Sequence, residues 1–199
     1  MQYNAQIIAQ TREKLITFTR LAYARGLSSG TSGNPSARVP GSPELVLIKS
    51  TGSCFGLVEA EDFVLVDLDG NLLEGNCAPS KEVYFHCGIY KLRPEVGAVF
   101  HGHSAYATAY ASKKGNLPYV TAAANGNIKT PAAIVEFAPA GSKELAEMVI
   151  SAFKDKNTVA CVLKTHGFVT VGKDIDQAYY FGDILEDNAK VACIMDTLK

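Results

Sequence analysis

In the stretch EVGAVFHGHSAYATAYA, residues 95–111, Val96, Ala98 and Phe100 alternate with Gly97, Val99 and His101. The run is apolar on both sides, which predicts a largely buried strand ending in His101-Gly102-His103. Ser104 then stands where a helix beginning at Ala105 needs a cap. Histidines two apart on a strand point to the same side, and Gly102 between them has no side chain to crowd an ion or a ligand. His101 and His103 therefore form a pincer at a strand end, the place where open α/β sheets keep their chemistry.

The sequence has four histidines. Two imidazoles are an incomplete set for zinc, which in enzymes takes three protein ligands and keeps one exchangeable position. The apolar run over 158–164 predicts another strand, which delivers Thr165-His166-Gly167 to its end and makes His166 the candidate third ligand. His86 lies inside a predicted helix, four residues after Glu82 and on the same face. A catalytic site needs a vacancy, so His86 reads as a packing residue or a support for the site rather than a fourth ligand. The plainer alternative is that each histidine only satisfies a local hydrogen bond.

A length of 199 residues and a hydrophobic fraction of 47% predict a single domain, residues 1–199, with a sizeable core. With 19 basic and 20 acidic residues the formal net charge is -1, which argues against a nucleic-acid or membrane surface built on clustered positive charge. Five scattered cysteines without a CxxC pair predict a reduced protein. The absence of a signal-like start and of any apolar run of about 18 residues predicts a cytoplasmic one.

Helical spacing of Ile8, Leu15, Phe18 and Ala22 predicts an amphipathic helix over 5–25, stopped by Gly26. GTSGN at 30–34 follows, a loop of glycines and short polar groups able to hold an anion on backbone N–H groups. It is neither a Walker loop nor a GxGxxG loop, and plain punctuation is the alternative. A strand over 45–48 leads to a second loop of this kind at 50–53. Segments 63–66 and 72–73 predict a hairpin around the turn 67–71. Ser80 is a natural cap for a helix carrying Lys81 and Glu82 in its first turn and running toward Leu92. Glu82 there is either a favourable surface charge or an acid/base aimed at the histidines. Tyr119 is either a partly buried aromatic or a proton donor. Asn125-Gly126-Asn127 reads as a turn, 134–137 as a strand, Ser142 as the cap of a helix through Phe153, and 175–198 as a final helix. Neither Lys49 nor Lys164 carries a sequence feature that marks a perturbed amine, which disfavours Schiff-base chemistry.

GTSGN at 30–34, STG at 50–52, PSKE at 79–82, HGH at 101–103 and THG at 165–167 occur in this order over nearly the whole chain. In that combination the sequence resembles the class II aldolase/adducin family, which includes fuculose-phosphate aldolase and ribulose-phosphate 4-epimerase. The resemblance implies a three-layer α/β/α sandwich with a mixed, largely antiparallel central sheet, and a homotetramer with active sites between subunits. It implies that His101, His103 and His166 bind a divalent cation, zinc foremost with manganese or cobalt as alternatives. Glu82 would then be the acid/base, and Gly33, Asn34, Thr51, Gly52 and Ser80 would hold the phosphate of a small sugar. Tyr119 falls where fuculose-phosphate aldolase has a tyrosine that protonates from an adjacent subunit.

The activity this implies is metal-dependent cleavage of a ketose phosphate to dihydroxyacetone phosphate and an aldehyde. Lys81 departs from the pattern, since fuculose-phosphate aldolase has a second small hydroxyl residue there; the lysine would add positive charge to phosphate or carboxylate recognition. The Ser-Lys-Glu form is similar to family decarboxylases that act on oxo-sugar-acid phosphates. Decarboxylase, sugar-phosphate 4-epimerase and dehydratase activities are therefore alternatives, and so is a non-catalytic adducin-like binding protein.

Overall fold

A computed structural model of the chain describes residues 4–198. The helical spacing near the start becomes α1 (Ala5–Ala24), which buries Ile8, Leu15 and Ala22 and is capped by the Asn4 side chain. Two antiparallel strands follow, β1 (Asn34–Val39) and β2 (Ser42–Lys49), and then the predicted hairpin of β3 (Phe63–Asp67) and β4 (Leu72–Glu74). Next come α2 (Val83–Leu92), β5 (Ala98–Gly102), α3 (Ala105–Lys114) and α4 (Ala122–Asn127). The chain continues through β6 (Ala133–Val135), α5 (Lys143–Ala152), β7 (Ala160–Leu163), β8 (Gly167–Gly172) and α6 (Ile175–Thr197).

Among the described residues these strands form one sheet in the order β4-β3-β2-β1-β5-β8-β7-β6. The single parallel pair is β6 with β7; all other neighbours are antiparallel. β5 lies inside the sheet and is buried along its length, which is why its sequence is apolar on both faces. Ala98 and Phe100 pack into one layer with α1, α3 and α6. Val99 packs into the opposite layer with α2 and α5. Each large apolar side chain fully enclosed in these layers contributes roughly 1.5–3 kcal/mol. The architecture is the three-layer α/β/α sandwich with a largely antiparallel sheet. No described helix is long and apolar enough to cross a membrane.

Four local readings change. β1 carries Asn34, Ser36 and Arg38 on one face and begins with Asn34-Pro35, so its sequence reads as loop; Pro35 is tolerated because the pairing with β2 starts only at Ser36. Asn125-Gly126-Asn127 is the last turn of α4, which Thr121 starts by accepting the Ala124 N–H at 3.2 Å. Lys81 and Glu82 precede α2, with Glu82 at its cap position and its N–H donating to Ser80 Oγ at 3.2 Å. Ser104 occupies the cap position of α3 but its hydroxyl makes no cap bond. The Glu186 carboxylate of α6 takes the first N–H groups instead, from Tyr106 at 2.9 Å and Ala107 at 2.8 Å.

Candidate active site

β5 has β1 on one side and β8 on the other, which sets Asn34 and Val169 opposite His101. His101 is fully buried, and its Nδ1–H donates to the Phe168 carbonyl at 2.8 Å, leaving Nε2 as a lone pair. His103 stands just past the strand, with its Nε2 2.9 Å from that of His101. His166 comes from the turn between β7 and β8, where Thr165 has a φ of 58° and donates its N–H to Ser112 Oγ at 2.8 Å. One ligand nitrogen from each histidine lies within 4.8 Å of the others.

Two glycines let these segments meet. A Cβ on Gly167 would stand 2.2 Å from the Gly102 carbonyl oxygen, so the β8 start closes directly on the β5 end. A Cβ on Gly102 would meet the Leu27 carbonyl at 2.6 Å and the Phe168 ring at 2.7 Å. Gly102 thus makes room for the scaffold and not, as its place between two histidines suggests, for an ion.

Burial pushes His101 down to about 3, and the neighbouring His166 adds to the effect. Burial likewise holds His103 at about 3, with repulsion from His101 and His166 outweighing attraction by Glu82. His166 is lowered by burial and partly restored by Glu82. Three neutral imidazoles therefore converge on one point. Glu82 is 6% exposed, with Oε1 3.3 Å from His166 Nε2 and Oε2 3.3 Å from His101 Nε2. Oε2 accepts from Asn34 Nδ2 at 2.8 Å, while Oε1 is buried without a hydrogen-bond partner among the described residues. An enclosed carboxylate beside converging lone pairs is the arrangement a divalent cation completes, so the donor set fits a metal with histidine ligands.

The polar loops meet this cluster. Thr31, Gly33, Asn34, Thr51, Gly52 and Ser80 line one cavity of about 150 Å³ together with Glu82, His103 and His166. Gly33 has a φ of +78°, and a Cβ there would stand 2.9 Å from the His101 carbonyl oxygen, so the loop backbone lies directly against the end of β5. Lys81 reaches the same cavity from an exposed position. Lys49 also lines it, and here the sequence reading needs correction. Its side chain is 1% exposed, Nζ donates to the Ser50 carbonyl at 3.2 Å, and burial pushes the amine down to about 8. The available signal was a lysine closing the apolar run LVLI at the point where a polar loop begins.

Tyr119 is not brought to this cavity within the chain. Its hydroxyl donates to the Thr130 carbonyl at 3.0 Å, and burial raises its pKa. His86 is fully buried behind Asn34, with Nε2 2.6 Å from Asn34 Oδ1.

Residues 13–193 match the family described as Class II Aldolase and Adducin N-terminal domain. The chain belongs to that family. Among its class II aldolase relatives, an L-fuculose phosphate aldolase of Methanococcus maripaludis strain S2 is 38% identical over 186 residues, covering 94% of this chain and 98% of its own. A 3-oxo-tetronate 4-phosphate decarboxylase of Haemophilus influenzae is 33% identical over 190 residues, covering 90% and 85%. The solved structure of an L-fuculose 1-phosphate aldolase superposes with a TM-score of 0.84 at 28% identity, over 94% of this chain and 86% of that one.

Proposed function

We propose that this chain is a cytoplasmic, metal-dependent aldolase that cleaves a ketose phosphate to dihydroxyacetone phosphate and an aldehyde, acting as one domain over residues 1–199. The observation that carries the reading is the buried Glu82 carboxylate, one oxygen held by Asn34 and the other without a hydrogen-bond partner among the described residues, between a histidine cluster and a cavity rimmed by polar loops. His101, His103 and His166 hold the metal, with zinc the first choice for imidazole nitrogen. The bound cation supplies Lewis-acid polarisation of the substrate carbonyl and offsets the negative charge that develops as the carbon-carbon bond breaks.

The loops at Gly33, Asn34, Thr51, Gly52 and Ser80 take the substrate phosphate on N–H and hydroxyl donors, and the Lys49 and Lys81 amines supply positive charge. The hydroxyl next to the breaking bond gives its proton to Glu82 Oε1 and becomes the aldehyde carbonyl, while the bonding pair passes to the dihydroxyacetone phosphate half as an enediolate. Glu82 Oε1 delivers the proton that this carbon then needs. Tyr119 serves the aldehyde oxygen from a neighbouring subunit of a homotetramer, since it does not line the cavity of its own chain. A second reading, decarboxylation of an oxo-sugar-acid phosphate, is favoured by Lys81 and Lys49 both lining the cavity, where an additional carboxylate has a partner.

Zinc-loaded protein incubated with short ketose 1-phosphates and oxo-acid sugar phosphates, with products resolved by mass, tests both. Dihydroxyacetone phosphate plus aldehyde, lost on chelation and in Glu82→Gln, supports the aldolase. Release of carbon dioxide without that pair selects the decarboxylase. Turnover in neither panel sinks both.

A further inference from the structure

Glu82, His86 and Tyr90 recur every four residues along α2 and its cap, and Asn34 and Ser36 are two apart on β1, so each set presents one face. Four residues of helix rise about 6 Å and two residues of strand about 6.7 Å, so the two rows stay in step. Their side chains interleave as a ladder. Asn34 Nδ2 donates to Glu82 Oε2 at 2.8 Å, and Asn34 Oδ1 is 2.6 Å from His86 Nε2. Ser36 Oγ is 2.7 Å from His86 Nδ1 and 2.8 Å from Tyr90 Oη. All five side chains are buried, and a buried polar row in an otherwise apolar layer is costly unless each member is paired.

We propose that Tyr90, Ser36 and His86 are positioning residues that lock the Asn34 amide, pin Glu82 Oε2 and so present Oε1 to the substrate. The role rests on Glu82 being the acid/base proposed above. The pairing admits one polarity. A carboxylate only accepts, so Asn34 turns its nitrogen to Glu82 and its oxygen to His86. That oxygen accepts from Nε2–H. Burial holds the His86 imidazole well below its ordinary pKa and therefore neutral, so Nδ1 is a lone pair that accepts from Ser36, and the Ser36 oxygen accepts from Tyr90. No proton travels along the row; the ladder fixes an orientation. A His86 carrying its proton on Nδ1 would instead draw the Asn34 nitrogen toward itself and turn an amide oxygen onto the carboxylate.

Nitrogen-15 NMR of zinc-loaded protein with labelled histidine tests the lock directly, the His86 signals being assigned by their loss in His86→Gln. A protonated Nε2 with a bare Nδ1 is expected, and a proton on Nδ1 overturns the proposal. The spectrum needs no turnover, so failure of the ladder and failure of the aldolase reading are separable. Kinetics supply the second arm. His86→Leu and Ser36→Ala are each expected to lower kcat about tenfold or more, at unchanged zinc content and with a smaller change in KM, and His86→Gln to recover most of the loss. Lower Tm with unchanged kcat in both variants would mean a purely structural row and overturns it. If His86→Leu does not fold, Ser36→Ala, which removes a single hydroxyl, carries the kinetic arm.

Discussion

Glu82 and Lys49 are two buried ionisable residues lining one cavity, and each does something an apolar residue in its place could not. Glu82→Gln keeps the shape and the Asn34 contact but has no proton to exchange with carbon. Its kcat is expected to fall by about 10²–10⁴, with KM and zinc content near those of the wild type, in steady-state kinetics paired with metal analysis. A raised KM with unchanged kcat would place Glu82 in ground-state binding instead. Lys49 has a folded pKa of about 8 against an ordinary 10.5. The folded state therefore holds fewer protons than the unfolded one between those values, and this residue's contribution makes stability rise with pH across that window. Below about 8 the whole cost of the buried charge is present. Lys49→Met is accordingly expected to raise Tm at pH 7 while raising KM for a sugar phosphate, and wild-type KM is expected to climb as the pH passes about 8 and the amine loses its charge. A KM flat across that range would remove Lys49 from anion recognition. The sequence shows the carboxylate and its helix start but not the lysine's burial, because a long stem at a strand end usually carries its amine to water. Only the folding of the 30–34 and 50–53 loops over it closes that exit.

At the scale of elements, the cap of α3 comes from across the core and not from its own sequence. Glu186 accepts the N–H groups of Tyr106 and Ala107, while the Ser104 hydroxyl has no partner among the described residues. Glu186→Ala is expected to lower stability by about 1 kcal/mol in denaturant unfolding, and Ser104→Ala to cost much less. The reverse order would restore the local cap. The meeting of β5 and β8 is the other element-level joint. Gly167→Ala places a methyl against the Gly102 carbonyl, so the strand ends must part and zinc affinity is expected to fall by about 10–100-fold in competition with a chelator. Elements with a strong period were legible: the alternation before His101 gave β5, helical spacing gave α1 and α6, and Ser142 at the cap marked α5. β1 was not, because its inward face carries the polar Asn34 and Ser36 that pair with α2, so the residues serving the site erase the apolar pattern that marks a strand.

For the whole molecule, the histidine cluster joins the end of β5 to the turn between β7 and β8, segments far apart in the chain but adjacent in the sheet. The HGH and THG patterns marked the three histidines; their convergence depends on β8 lying against β5, which no local pattern specifies. A ligand that binds only the assembled cluster stabilises the whole fold, by about 2.7 kcal/mol at a free concentration of 100 times Kd. Zinc is therefore expected to raise Tm at pH 7 and chelation to reverse it. The metal-free protein has its own pH dependence. His101 and His103 sit at about 3 when folded and near 6.5 when not, so between those values the unfolded chain binds more protons. Stability is then fully present above about 6.5 and is lost as the pH falls toward 3. Carboxylates add to any acid transition, so the comparison is with His103→Gln, measured metal-free by chemical denaturation from pH 7 to 4. The variant is expected to lose less stability over that range than the parent, and to gain less from zinc at pH 7. Equal acid slopes would mean that His103 is not held neutral by the fold, and an equal zinc response would mean that the ion binds elsewhere.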